Sequence, residues 1–307
     1  MTSSGTVRGL SWGTVAIFAI MGLGLGAGAR AATVSVLDNV STFSTLEAYG
    51  GGMLSDPTYD QQTGQGEDDF VGDGTNGYYG FYYKYGQING TDSLVFRVRL
   101  NALTTQQGTP KFSGNIRIGV DGDGDGNVDL YFGVATGSGQ VPEITFQNPT
   151  GTAPDANTSP NTSALGTRYG TIATSASNYD YSEVTDGSNY HTNKVNQPNT
   201  DAFLTFALPF STFKAYLESQ LSGVTITTAS FLRFVAFSAT NSNTVNQDLY
   251  GATGIGTVRY DQGGGFSNYY GVDGKVIPEA STFVQFAMLA LGVLGWRRKR
   301  GMRDRVP

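Results

Sequence analysis

The sequence predicts an all-β protein: a β-sandwich with one short helix, an N-terminal signal peptide and a C-terminal hydrophobic helix. Apolar and polar residues alternate along many short segments, and 17 Tyr and 18 Phe supply the aromatic residues that strands favour. The 43 Gly fit frequent turns between strands. With 307 residues, 39% of them hydrophobic, the chain can build a core in one large domain or two small ones.

Alternation is clearest in residues 94–100, where four apolar side chains share one face and Arg97 and Arg99 lie on the other. Residues 115–120 repeat the pattern, while 201–208 and 231–238 are apolar on both faces, as in central strands. Further predicted strands are 33–37, 78–85, 130–134, 143–147, 179–184 and 257–260. About ten short strands favour a jelly-roll-like sandwich.

One helix is expected after Ser211, a good N-cap, and Gly223 is placed to end it. Its apolar face carries Phe213, Tyr216, Leu217 and Leu221. Two segments lack a core pattern: the acidic, Gly-rich residues 50–77 and the Asn/Thr/Ser/Gly-rich loop around 148–200, which we expect to contain the 179–184 strand.

Residues 1–31 are typical of a secretory signal peptide. Arg8 forms a basic start, residues 15–25 are apolar, and the small-x-small pattern at 29–31 suits cleavage. An N-terminal membrane anchor is the alternative, although the apolar run is short and rich in Gly. The predicted β-sandwich domain then spans residues 32–276.

The tail, residues 277–307, has three parts. Pro278 and Glu279 open a motif at 278–280, residues 283–296 form an apolar helix, and a basic end covers 297–305. The basic end starts with Arg297, Arg298, Lys299 and Arg300. An apolar segment followed by a basic cluster stops translocation and keeps the positive end in the cytoplasm, so this helix is a predicted transmembrane segment.

This order of parts resembles the PEP-CTERM sorting signal of Gram-negative envelope proteins, with Ala280 standing at the second Pro of the family motif. The resemblance implies an exosortase as partner, a transient stay in the inner membrane, and delivery to the cell surface or an extracellular exopolysaccharide matrix. An ordinary C-terminal membrane anchor is the alternative. Either interpretation takes the protein out of the cytoplasm.

The body is acidic. Residues 32–276 hold 11 basic and 23 acidic residues, a net charge of −12, which disfavours nucleic acid as a partner. The absence of Cys excludes disulfides, thiol nucleophiles and thiolate zinc sites.

A loop of alternating carboxylates and glycines, residues 121–130, predicts a calcium site. Its proposed ligands are Asp121, Asp123, Asp125, Asn127 through its carbonyl, and Asp129, and Gly126 permits the bend. Phe132 stands where an EF-hand has a bidentate Glu, and the flanks alternate as strands. The loop therefore resembles the DxDxDG calcium turns of β-structured extracellular repeats, at a hairpin tip, with a structural Ca²⁺. A solvated acidic turn without an ion is the alternative.

No catalytic residue is predicted. His191 lies in a polar loop without a nucleophile motif, and the candidate acids Glu143, Glu183 and Glu218 are scattered. A polysaccharide hydrolase stays open because it needs only two carboxylates. Residues 67–69, Glu-Asp-Asp, fit a solvated turn or a second weak cation site.

The aromatic segment 78–85 offers possible glycan contacts through Tyr79, Phe81 and Tyr83. Packing of both sets of rings inside the sandwich is the favoured alternative. The body also resembles, loosely, carbohydrate-binding sandwich modules. The sequence therefore favours an exported, non-enzymatic, calcium-stabilised surface or matrix protein, with a carbohydrate-binding module as the alternative and a hydrolase third.

Overall fold

A computed structural model describes residues 32–38, 42–46, 55–61, 66–136, 141–150, 165–185, 200–242, 244–251, 267 and 270–272. The predicted signal peptide, the sorting tail with Pro278, Glu279 and the basic cluster, the 257–260 strand and His191 lie outside the described residues.

Thirteen strands and one α-helix form within these residues, which confirms the all-β prediction. In chain order they are β1 (Ser44–Thr45), β2 (Phe81–Ile88), β3 (Thr91–Leu100), β4 (Thr105–Gln106), β5 (Thr109–Pro110), β6 (Asn115–Asp121), β7 (Leu130–Ala135), β8 (Glu143–Pro149), β9 (Leu165–Ala173), β10 (Tyr179–Glu183), β11 (Ala202–Pro209), α1 (Phe210–Gln220), β12 (Phe231–Ala239) and β13 (Tyr270–Gly271).

The strands form two main antiparallel sheets. The first has the order β1-β2-β3-β11-β10 and the second has the order β13-β12-β6-β7-β8-β9. Strands β4 and β5 pair only with each other. The chain changes sheets after β5, after β9 and again through α1, so each sheet contains strands from distant parts of the sequence.

Aromatic side chains join the two sheets. Phe96 on β3 lies 4.9 Å from Phe132 on β7 and 5.3 Å from Phe234 on β12, measured between ring centroids. Phe206, from β11 beside it, is 5.7 Å away. These four rings are buried in one apolar cluster that draws on both sheets. The inner faces therefore pack together as a sandwich does, with Phe96 near the middle.

The outer face of the first sheet is also covered. A separate apolar cluster lies on it and includes Val34, Val36 and Phe43, from the segments before β2. Arg97 and Arg99, which the alternation places on this face, are consequently buried. Arg97 lies over the Phe43 ring at 4.3 Å, and Arg99 pairs with Asp201 at 3.0 Å.

Helix α1 begins at Phe210, two residues earlier than an N-cap at Ser211 predicts. Strand β11 ends at Pro209, and this residue is itself the N-cap, without a side-chain hydrogen bond. Because β11 runs directly into the helix, Ser211 falls in the first turn. Phe213 and Leu217 are buried against the core, as predicted. Among the described residues, no helix has the length and apolar character that crossing a membrane requires.

Two segments depart from the predicted strands. Residues 33–37 contain only an isolated bridge between Thr33 and Gln87. The polar loop around 148–200 contains β9 as well as the expected β10. Strand β9 pairs with β8, yet its sequence is rich in Gly and Thr and gives little apolar alternation.

The buried ion pair between Arg99 and Asp201 should be important for stability, since both side chains are fully shielded from solvent. Asp201→Asn leaves a buried guanidinium without its counter-charge, and we expect a loss of about 3 kcal/mol in the free energy of unfolding. The control is Glu143→Gln, which breaks a largely exposed pair with Arg168 and should cost less than about 1 kcal/mol. Denaturant unfolding of the full chain measures both, and equal effects would contradict the expectation.

Candidate metal centre

The acidic loop connects two paired strands, as predicted for a hairpin tip. Strand β6 ends at Asp121, and β7 begins at Leu130 and pairs with it. Helix α1 lies behind the loop: a Cβ placed on Gly122 would come within 2.9 Å of Leu221 and 3.1 Å of Leu217. The loop is therefore attached to the sandwich through backbone packing at its first residue.

Backbone amides shape the loop around Asp121. Gly124 N–H donates to its Oδ1 at 2.6 Å, and Gly126 N–H donates to its Oδ2 at 3.0 Å. Gly124 and Gly126 have φ values of 85° and 91°, in the left-handed region that glycine tolerates best. The two glycines thus let the chain turn back on the buried carboxylate.

Three of the four predicted carboxylate ligands converge. Asp121, Asp123 and Asp129 each offer a carboxylate oxygen, and these oxygens all lie within 4.8 Å of one another. Asp121 is buried, Asp129 half-buried and Asp123 exposed. Burial raises the pKa of Asp129 to about 6, and the charges of Asp123 and Asp121 add to the effect. The ionised group is thus disfavoured as it stands, and a bound cation would relieve this.

Asp125 is not part of this convergent group of carboxylates. Both oxygens of Asp125 accept hydrogen bonds from Asn127, one from its backbone N–H and one from its side-chain amide, each at 2.8 Å. Both residues lie on the solvent side of the loop. The Asn127 carbonyl oxygen, which is the predicted ligand atom of that residue, takes part in neither of these two bonds.

Arg233 is a functional residue that sequence reasoning missed. It lies on β12 opposite Asp121 in the strand register, and its guanidinium forms an ion pair with the Asp121 carboxylate. The available signal was a single charged residue within the apolar run 231–238. The guanidinium supplies one positive charge, which offsets the negative charge of Asp121. It does not offset the negative charges of the Asp123 and Asp129 carboxylates.

The expectation of a solvated turn at residues 67–69 is wrong. Glu67, Asp68 and Asp69 are all buried. Glu67 accepts hydrogen bonds from the Thr104 and Ser113 hydroxyls, and Asp69 accepts one from Tyr59 N–H. Burial also raises the pKa of Asp68 to about 7 and that of Asp69 to about 6. Protein donors therefore take the place of water at Glu67 and at one oxygen of Asp69.

The rings proposed for glycan contact are largely occupied by packing. Phe81 is 2% exposed and Tyr83 0% exposed, both in the main core. Tyr82, between them in sequence, is buried on the outer face of the sheet, and the half-buried Tyr79 contacts it edge-on. Phe81 and Tyr83 therefore pack inside the sandwich, as the alternative interpretation predicted, and a glycan at the surface cannot reach them.

The candidate acids for a hydrolase lie on different elements. Glu143 begins β8 and pairs with Arg168 at 3.1 Å, and Glu218 on α1 pairs with Lys214 at 3.1 Å. A cavity of about 280 Å³ beside β8 and β9 is lined by Glu143, Arg168 and mainly small or apolar residues. Glu143 is the one carboxylate in that lining, whereas hydrolysis of a glycoside calls for a facing pair.

No protein-family model matches this chain, and no curated protein or solved structure matches it significantly.

Substitution of Arg233 tests how the loop is balanced. Arg233→Gln leaves the buried Asp121 carboxylate without its counter-charge, so we expect a loss of about 3 kcal/mol in unfolding free energy when a chelator is present. Excess calcium should recover part of the loss. Arg168→Gln, which breaks an exposed ion pair, is the control for charge removal and should change stability by less than about 1 kcal/mol. Identical losses in chelator and calcium would show that no ion substitutes for the guanidinium.

Proposed function

We propose that this chain is an exported, non-enzymatic envelope protein whose β-sandwich, residues 32–276, is stabilised by calcium and whose tail directs it to the cell surface or an exopolysaccharide matrix. The observation that carries the calcium part is the convergence of the Asp121, Asp123 and Asp129 carboxylates at a hairpin tip. The sorting part depends on the order of parts in residues 277–307. The role of the protein is structural or adhesive. We further propose that its β-sandwich has jelly-roll topology.

Calcium suits the donors better than other ions do. The loop offers only oxygen atoms, which hard cations prefer, and zinc or copper would favour nitrogen or sulfur ligands. Asp123 is exposed, and calcium accepts six to eight ligands at variable distances. Magnesium demands a tighter octahedron. Water completes the coordination on the open side of the loop.

The ion would act as a structural clamp. Asp121 belongs to β6 and Asp129 directly precedes β7, so one ion joins the two strand ends across the turn. Arg233 ties the same carboxylate to β12, and Gly122 sits against α1. The proposed calcium ion therefore stabilises the region where β6, β7, β12 and α1 contact one another. Its affinity belongs in the weak extracellular range of about 10⁻⁴–10⁻³ M.

Export would place the chain where calcium is available. The two proposed signals account for the start of translocation and for its arrest in the inner membrane. The apolar segment in residues 1–31 would start translocation. Residues 283–296 and the basic cluster after them would halt it in the inner membrane, where an exosortase could act on the motif at 278–280. The net charge of −12 on the body keeps the released protein soluble and attracts divalent cations.

Calcium should stabilise the wild-type chain through this loop. At a free calcium concentration about tenfold above Kd, we expect a gain of about 1.4 kcal/mol in unfolding free energy over the chelated protein. Asp123→Asn combined with Asp129→Asn should remove the contribution of this loop. Denaturant unfolding with EDTA or with excess calcium measures both.

The matched control is Asp92→Asn, the same change at an exposed aspartate on β3 whose carboxylate accepts a hydrogen bond from the Gln87 side chain. It should leave the calcium-dependent gain unchanged. If the double variant gains as much from calcium as the wild type does, the hairpin loop does not hold the ion.

The tail predicts a sorting intermediate. In a Gram-negative host that lacks an exosortase, the full chain should stay in the inner-membrane fraction, and in a host that has one it should be recovered outside in a shortened form. Replacement of Arg297, Arg298, Lys299 and Arg300 with Gln should abolish membrane retention because the stop-transfer charges are lost.

Lys275→Gln is the control, since it removes a basic residue that precedes the motif. Fractionation and mass measurement of the recovered chain give the readout. Intact chain in the soluble cytosolic fraction would overturn the proposed export.

A further inference from the structure

A second group of carboxylates converges away from the hairpin. Asp56, Asp60 and Asp248 each present an oxygen, and these oxygens all lie within 4.8 Å of one another. The three residues are 0%, 6% and 3% exposed, whereas the hairpin group contains the exposed Asp123. Two of them come from the segment before β2 and one from the segment after β12, so the group joins distant parts of the chain.

Asp69 is a fourth carboxylate nearby, outside the convergent triad but close enough to interact electrostatically with Asp60. It is fully buried, and its charge contributes to raising the pKa of both Asp56 and Asp248, after the larger effects of burial and the nearer carboxylates. Its Oδ2 accepts hydrogen bonds from Tyr59 N–H and from the Asn101 side-chain amide. Four acidic groups therefore share one interior region.

Backbone donors hold these carboxylates in fixed positions. Asp56 Oδ2 accepts from Gly251 N–H at 2.5 Å, and Asp248 Oδ2 accepts from Phe70 N–H at 2.7 Å. The backbone of Asp56 also exchanges two hydrogen bonds with Gly72, each of 3.0 Å. Such anchoring is what a preorganised binding site needs, because the ligands lose little freedom when an ion arrives.

Oxygen atoms at the centre lack partners. Asp56 Oδ1 and Asp69 Oδ1 are buried and accept no hydrogen bond from the described residues, and the same is true of Asn101 Oδ1 beside Asp69. Leaving a buried carboxylate oxygen without a donor costs free energy. Asp56 belongs to the convergent triad, so this unpartnered oxygen lies on one of the carboxylates that a cation would contact.

Three of these four carboxylates have no ion pair with the described residues. None of the ion pairs among the described residues includes Asp56, Asp69 or Asp248. By contrast, the fully buried Asp201 and the buried Asp121 each have an arginine. Carboxylates packed this closely repel one another strongly unless they bind protons or a cation.

We infer that Asp56, Asp60 and Asp248, with Asp69 nearby, form a second, buried binding site for a calcium ion, which links the segment before β2 to the segment after β12. Only oxygen donors converge, which selects a hard cation. Calcium is preferred over magnesium because magnesium keeps several of its waters, and three converging carboxylates in a buried region suit an ion that gives up its hydration more readily. With more charge and less exposure than the hairpin loop, this site should bind calcium more tightly.

Equilibrium dialysis of the full chain against excess calcium counts the bound ions per chain, and variants of each site assign these ions to the two sites. The wild type should hold two calcium ions per chain, and Asp123→Asn with Asp129→Asn should reduce this to one. Asp248→Asn, which keeps the side-chain shape and an acceptor for Phe70 N–H, should also hold one. Asp92→Asn, at an exposed position, is the control and should hold two.

The hairpin double variant gives the decisive result because it leaves the buried group intact, even if Asp248→Asn fails to fold. One calcium ion retained by this variant supports the buried site, and none retained overturns it. The proposal on the hairpin loop fails separately, if the double variant holds as many ions as the wild type. Dialysis against equal calcium and magnesium tests the ion: bound magnesium in the hairpin variant would overturn the assignment to calcium.

Discussion

Negative charge removed from water is the constraint on which this sandwich depends. Each buried carboxylate requires a compensating partner, since an isolated buried charge costs several kcal/mol even after the protein relaxes. The chain meets this requirement in different ways. Asp201 has Arg99 and Asp121 has Arg233, both from neighbouring strands. Glu67 has two hydroxyl donors. The group around Asp56 has backbone amides and, in our proposal, a metal ion.

The covered outer face explains why so much charge is buried in a protein with only 14% charged residues. A two-layer sandwich commonly leaves its outer faces to solvent, and polar residues of the strands then point into water. Here Val36 and Phe43 lie over the first sheet, and a second small cluster that includes Tyr131 and Leu249 covers part of the other. Strand residues that alternation assigns to the solvent side, such as Arg97, are therefore buried and need hydrogen-bond or charge partners inside the protein.

Sequence periodicity predicted the strands better than it predicted their surroundings. The alternation in 94–100 and the apolar runs at 201–208 and 231–238 matched β3, β11 and β12 closely, because packing against a core produces those patterns locally. Strand β9 was missed because it is the last strand of the second sheet and pairs only with β8 among the described strands. Its Gly- and Thr-rich sequence lacks the apolar alternation that predicts a strand. The helix was found, and its start was misplaced by the direct junction with β11.

The site was predictable only where its residues are close in sequence. Five nearby positions marked the hairpin loop, and the structure brings Asp121, Asp123 and Asp129 together. Arg233 could not be assigned to that loop, since strand pairing brings it there from 112 residues away. The acids at 67–69 show the same limit: local sequence does not reveal whether a polar turn faces water or lies beneath segments that return later in the chain.

The hydrogen bond from Gly251 N–H to Asp56 spans 195 residues, which has a consequence for the order of folding. Closing so long a loop has an entropic cost that must be met before the contact gives any stabilisation, and topologies dominated by such contacts fold slowly. Hairpins such as β6–β7 can form early, whereas the region around Asp56 can be completed only when nearly all of the body is present. Slow completion of this kind keeps the polypeptide unfolded for longer after synthesis, which is the condition a chain needs if it is to be threaded through a narrow translocation channel.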